Sequence, residues 1–142
     1  MSEEHYNQIV EQAKREFPLE CCGLLAGSKT DDEILIKKIY PMRNTDQSSE
    51  HFTMDPKEQF AVLKKTRAED LEVVGIYHSH PYTPSRPSDE DKRLAYDPHV
   101  VYGILSLKER EPVFNFFKIE AHERVEKLQC EFVQQKEERQ ND

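Results

Sequence analysis

A mixed α/β domain, a curved sheet flanked by helices, is what this chain predicts. Apolar residues recur at the helical period near the start, and a helix-start signature opens a second helical stretch further on. Short runs rich in β-branched and aromatic residues lie between them and after them. The resulting order is helix, hairpin, helix, strand, helix, hairpin, which departs from strict strand-helix alternation and therefore implies a mixed sheet. A length of 142 residues suits one core and one domain, placed at residues 1–133, with Gln134 to Asp142 as a frayed tail.

The elements follow in order. Tyr6, Ile9, Val10, Ala13 and Phe17 fall on one helical face, Ser2 can cap that helix and Pro18 marks its stop. Cys21 to Ala26 is an apolar run ending at Gly27 and reads as a buried strand. Ser28 to Asp32 turns the chain into a second strand with Ile34, Leu35, Ile36, Ile39 and Tyr40. The polar loop from Met42 to His51 is long enough for work at a surface, and Phe52-Thr53-Met54 is a short extended piece. Asp55-Pro56-Lys57-Glu58 is a helix start, the helix running to about Asp70. Leu71 to His78 is the most strand-like segment, Pro81 to Pro87 forbids regular structure, and Ser88 opens a short helix that ends before Asp97-Pro98. Val100 to Leu107 and Pro112 to Ile119 form a hairpin across Lys108 to Glu111. After Val125 the spacing fits a helix through Val125, Leu128 and Phe132, or a strand through Leu128, Cys130 and Phe132; strand is preferred.

Composition narrows the partners. Twenty Lys and Arg against 28 Asp and Glu give a net charge of −8, which on average repels a phosphate backbone, so no nucleic-acid partner is expected. No apolar stretch approaches the ~20 residues of a membrane helix, and Met1-Ser2-Glu3-Glu4 is acidic where a signal peptide is basic; a soluble, cytoplasmic protein without a membrane partner is the expectation. Three cysteines, with Cys21 beside Cys22, make no disulfide framework and fit a reducing compartment.

The chemistry concentrates at one strand end. In His78-Ser79-His80 both imidazoles project to the same side of an extended chain while Ser79 points away. Two such rings are half of a zinc site, commonly completed by one carboxylate, and Asp91, eleven residues beyond His80 in the first turn of the helix opened by Ser88, is the candidate. Taken alone, Ser88-x-x-Asp91 is a helix cap, but H-x-H-x7-S-x-x-D fixes four residue types over fourteen positions. Cys21 and Cys22 lie in a buried run, where cysteine behaves as a small hydrophobe rather than a nucleophile, and no C-x-x-C pair supports a cysteine metal site. His5, His51, His99 and His122 have no partner spacing and read as surface residues.

On His78, His80, Ser88 and Asp91 at this spacing, preceded by Gly75-Ile76-Tyr77 and followed by Pro81, the chain resembles the JAMM zinc metallopeptidases, also called MPN+ or Jab/MPN. Pro18-Leu19-Glu20-Cys21-Cys22-Gly23-Leu24-Leu25-Ala26-Gly27 is similar to the segment carrying that family's catalytic glutamate, and Phe52-Thr53-Met54-Asp55-Pro56 adds a weaker likeness; together they cover about residues 3 to 120. The resemblance implies a cytidine-deaminase-like fold, with His78, His80 and Asp91 as ligands of Zn2+, Glu20 as general base and acid, and Ser88 as stabiliser of the oxyanion. Without it, Glu20 is a solvated turn residue. It further implies hydrolysis of an amide or isopeptide bond after the C-terminal Gly-Gly of a ubiquitin-like or sulfur-carrier protein. A groove walled by the Met42–His51 and Pro81–Pro87 loops would suit such a tail. A non-catalytic scaffold of the same fold is one alternative, though it gains nothing from four converging polar groups. A RadC-like, DNA-associated domain is another, but those relatives usually continue His-Pro-Ser-Gly where this chain has Pro81-Tyr82-Thr83.

Overall fold

The computed structural model describes residues 1–134, so most of the tail assigned to Gln134–Asp142 lies outside the described residues. The order of elements is α1 (Glu3–Glu16), β1 (Cys22–Lys29), β2 (Ile34–Met42), α2 (Pro56–Ala68), β3 (Glu72–His80), α3 (Asp89–Arg93), β4 (Val101–Ser106), β5 (Val113–Glu120) and β6 (Arg124–Leu128). Of the segment after Val125 that could go either way, only the first part is strand: β6 pairs with β5 through Ile119 opposite Val125 and ends at Leu128, so Cys130 and Phe132 lie beyond it. None of the helices is long and apolar enough to cross a membrane among the described residues.

The strands make one six-stranded sheet in the order β2-β1-β3-β4-β5-β6. Every neighbouring pair is antiparallel except β3 and β4. A parallel pair needs a crossover, and here it carries the proline loop and α3 from the end of β3 back to the start of β4. β3 thus lies inside the sheet, bordered by β1 and β4.

The two faces are covered separately. Alternation along β1 sends Cys21 and Leu25 to one side, where they pack with Ile9 and Ala13 of α1, Tyr77 of β3 and Leu105 of β4. Cys22 and Leu24 go to the other side, against Met42, Met54 and Val62 of α2. Ala95, Val100, Tyr102 and Ile119 form a smaller cluster after α3.

Each helix end has a local cause. The Ser2 hydroxyl accepts the His5 N–H and Asp55 accepts the Lys57 N–H with Pro56 behind it, while Lys14 and Arg15 close α1 against its dipole. Periodicity misplaced two residues of α1. Phe17 lies past the helix end, 44% exposed, and meets the ring of Tyr82 edge-on at 5.3 Å. Gln12, polar and so left off the apolar stripe, is buried because its side chain is fully employed: Nε2 donates to the Cys22 carbonyl at 3.0 Å and Oε1 accepts the Tyr77 hydroxyl at 2.6 Å. Tyr77 reaches Gln12 across Gly23, where any Cβ would collide with the tyrosine ring.

Tyr77→Phe leaves the Gln12 oxygen buried without its donor, and stability is expected to fall by about 1–3 kcal/mol. A lower urea midpoint at unchanged slope is the outcome to look for, and an unchanged midpoint removes the network from the list of stabilising contacts.

Candidate metal centre

The end of β3 delivers the two imidazoles. His78 and His80 point to the same face, both 3% exposed, and Nε2 of one lies 3.2 Å from Nε2 of the other. Asp91 arrives from α3, its Oδ2 lying 3.0 Å from His80 Nε2 and 3.2 Å from His78 Nε2. The three side chains anticipated from spacing are therefore brought together, with one donor atom from each within 4.8 Å of the others.

Three small devices hold this geometry. The Pro84 carbonyl, which can only accept, takes the Nδ1 proton of His80 at 2.9 Å, which leaves Nε2 as the ring atom facing His78 and Asp91. That carbonyl is steadied because its loop is tied down: Ser85 Oγ donates to the Ile104 carbonyl and Ser106 Oγ to the Thr83 carbonyl, both at 2.6 Å. Phe52 stacks on His78 at 4.7 Å between centroids and an interplanar angle of 29°.

Asp91 is held by its own helix end. Ser88 and Asp91 form a capping box in which Asp91 N–H donates to Ser88 Oγ and Ser88 N–H donates to Asp91 Oδ2, each at 3.0 Å. Helix cap and ligand spacing are thus the same arrangement, not rival readings. Because Ser88 Oγ only accepts in the cap, its own O–H remains free to donate, and the residue is exposed.

Glu20 comes to the same place through strand pairing. Cys22 lies opposite His78 in the antiparallel ladder of β1 and β3. One step back, Cys21 N–H donates to Ser79 Oγ at 2.8 Å and Ser79 N–H donates to the Cys21 carbonyl at 3.0 Å. Continuing the alternation to Glu20 puts it on the side of the sheet that carries both rings, within charge reach of Asp91. Far from being solvated, Glu20 is 3% exposed and its Oε1 has no hydrogen-bond partner.

The two acids differ in proton affinity. Burial pushes the Glu20 carboxyl up to about 9, and the negative charges of Asp91, Glu90 and Glu50 push in the same direction. Burial also works against the Asp91 carboxylate, but contacts with the His78 and His80 rings and the Ser88 N–H overcome it and hold that group well below the usual carboxylate range.

The donor set fits a divalent cation. Two imidazole nitrogens 3.2 Å apart and a carboxylate oxygen 3.0 and 3.2 Å from them converge on one place, as the ligands of a single cation do. Two imidazoles and one carboxylate are a donor combination typical of catalytic zinc sites.

Other candidates separate cleanly. Cys21 and Cys22 are buried, free thiols, and burial pushes Cys21 up to about 12 and Cys22 higher, so neither is a nucleophile. His51 bonds Asp46 at 2.9 Å at the surface, and His122 lies 3.3 Å from the Lys92 carbonyl. Phe52 and the Pro84 carbonyl were not identified as parts of the centre from the sequence, because stacking and carbonyl aim follow from loop path rather than residue type.

Comparison with known proteins agrees with this geometry. Residues 2–120 match the family model described as prokaryotic homologs of the JAB domain. The CysO-cysteine peptidase of Mycobacterium tuberculosis is 35% identical over 103 residues, 72% of this chain and 69% of that protein. The desampylase of Pyrococcus furiosus is 36% identical over 88 residues, 62% of this chain and 60% of that enzyme. Among solved structures, protein DSY2949 of Desulfitobacterium hafniense superposes with a TM-score of 0.87 at 39% identity, covering 96% of this chain and 94% of that one.

The elevated Glu20 carboxyl makes a pH-dependent stability test possible in metal-free protein. Unfolded, this group has the ordinary glutamate value of 4.5, and burial pushes it up to about 9 in the fold, so the native state keeps a proton that the unfolded chain loses between those limits. The favourable contribution of the protonated form is complete below pH 4.5 and is lost as pH rises through about 9. Glu20→Gln removes that loss. The variant is expected to melt above the parent by a margin that widens from pH 5 to pH 9, at up to ~1.4 kcal/mol per pH unit. Parallel melting curves across that range contradict the burial argument.

Proposed function

The chain belongs to the prokaryotic JAB-domain family, and from that premise we propose a zinc-dependent metallopeptidase that hydrolyses an amide or isopeptide bond after the C-terminal Gly-Gly of a ubiquitin-like or sulfur-carrier protein. The observation that carries the reading is a buried Glu20, its Oε1 without a partner, within charge reach of Asp91 where that residue converges with His78 and His80. An interaction scaffold has no use for a carboxyl kept dry next to a metal-ligand set.

In this proposal His78 Nε2, His80 Nε2 and Asp91 would hold the cation. When bound, zinc supplies Lewis-acid polarisation of the scissile carbonyl and acidifies water. Glu20 is the proton carrier. Ionised beside a bound cation, Glu20 would accept the proton of the attacking water at its unpaired Oε1 and return it to the departing amine, the raised proton affinity of a buried carboxyl favouring the uptake. The free O–H of Ser88 donates to the developing oxyanion, a contribution of about 10²–10³ in rate for a comparable donor. Phe52 shields one face of His78 from water, and the Pro84 carbonyl keeps His80 in its inward-facing tautomer.

Domain and compartment follow the same reading. Residues 1–133 act as one catalytic domain, and the three free thiols suit a reducing cytoplasm. The substrate enters as a folded carrier with an extended glycine-ended tail, a shape that reaches a buried centre where a bulky tail does not.

The deciding experiment incubates the chain with a panel of carrier proteins extended or conjugated at the C-terminus, read by mass spectrometry. Products ending in Gly-Gly that vanish with a chelator and return with zinc are expected; cleavage indifferent to chelation refutes the metal's role. Asp91→Ala should purify without zinc, and stoichiometric zinc in that variant sinks the ligand assignment. Glu20→Gln should retain zinc and lose at least ~10²-fold in kcat, while undiminished turnover excludes Glu20 as base.

A further inference from the structure

The loop between β2 and α2 contains a buried polar side chain that the mechanism above leaves unused. Asn44 is 5% exposed. Its Nδ2 donates to the Glu20 carbonyl at 3.1 Å and the His51 carbonyl at 3.0 Å. Its Oδ1 accepts the N–H of Asp46 at 3.0 Å and of Thr53 at 3.2 Å. An asparagine amide has two donors and two lone pairs, so its capacity is exhausted.

What these bonds join is informative. The N–H of Glu20 donates to the Ser48 carbonyl at 2.8 Å, so both main-chain polar groups of Glu20 are held by this one loop. The His51 carbonyl belongs to the peptide leading into Phe52, the ring stacked on His78. Because Glu20 Oε1 has no partner to anchor it, the aim of the carboxylate must come from its backbone.

We propose that Asn44 is a positioning residue for the general base: its amide fixes the main chain of Glu20 and, through His51, seats Phe52 against His78. The proposal rests on the peptidase reading and deepens it. Asn44 acts through Glu20 rather than on the substrate, so its loss displaces the proton carrier without removing any ligand of the metal. A displacement of about 1 Å at a reacting group can cost roughly 10² in rate.

Two variants of the zinc-loaded full chain test this with a carrier-protein fusion as substrate. Asn44→Ala removes all four bonds. Asn44→Asp keeps the acceptor for Asp46 and Thr53 but loses both donors, and it decides the matter if the alanine variant does not fold. Expected are a kcat lowered about 10–100-fold, KM unchanged, full zinc content and faster hydrogen exchange at the Glu20 amide. Wild-type kcat in Asn44→Asp, or a defect confined to KM or zinc content, overturns the proposal. If the unmodified chain cleaves no member of the panel, the peptidase reading itself has failed. Amide exchange in metal-free protein then decides separately: unchanged protection at Glu20 in Asn44→Asp refutes the positioning link, and lost protection sustains it.

Discussion

Two hydrogen bonds between Cys21 and Ser79 make one site out of residues from distant parts of the chain. They continue the contact between β1 and β3 one residue past the last regular pair, Cys22 with His78, and leave Glu20 on the face of the two rings. Side chains alternate across a sheet, so a slip of one residue would turn Glu20 toward Ile9 and Ala13 beneath α1. The register is protected on that side by the Gln12–Tyr77 pair, which demands Tyr77 under α1 and therefore His78 on the opposite face. The dry network on one face of the sheet thus sets the geometry of the polar centre on the other.

Environment gives two similar acids different work. Glu20 and Asp91 lie within charge reach of each other, yet burial raises the proton affinity of one while the His78 and His80 side chains and a helix-end N–H lower that of the other. On the proposed reading, separation of this kind distinguishes a proton carrier from a ligand without any difference in side-chain chemistry beyond a methylene. It is costly to the fold, because a buried carboxyl with an unpaired oxygen contributes nothing to packing.

Much of this was legible in the sequence because it is local. The H-x-H pair needs only strand alternation, Asp91 needs only the first turn of a capped helix, and the apolar runs of β1, β3, β4 and β5 announce buried strands. What was not legible is non-local. Glu20 looks like a turn residue until β1 is known to lie against β3, and residue types alone do not state that pairing. Phe17 obeys the period of α1 but falls after Glu16, where the helix has ended, and so turns outward. Gln12 and Asn44 break the hydrophobic pattern and are buried nonetheless, since full hydrogen bonding removes the penalty that the pattern assumes. The Met42–His51 loop stood out only by its length and polarity, with no sign of which amide closes it.

One oxygen of Asp91 serves two structures at once. Oδ2 accepts the Ser88 N–H that starts α3 and also touches both imidazoles. Five residues are too few for a helix to persist in water by themselves, so α3 borrows its permanence from tertiary contacts, this atom among them. Occupancy of the centre and winding of that turn are consequently linked equilibria: whatever grips the carboxylate tightens the coil, and a chain stripped of its ion should unravel first between the proline loop and β4.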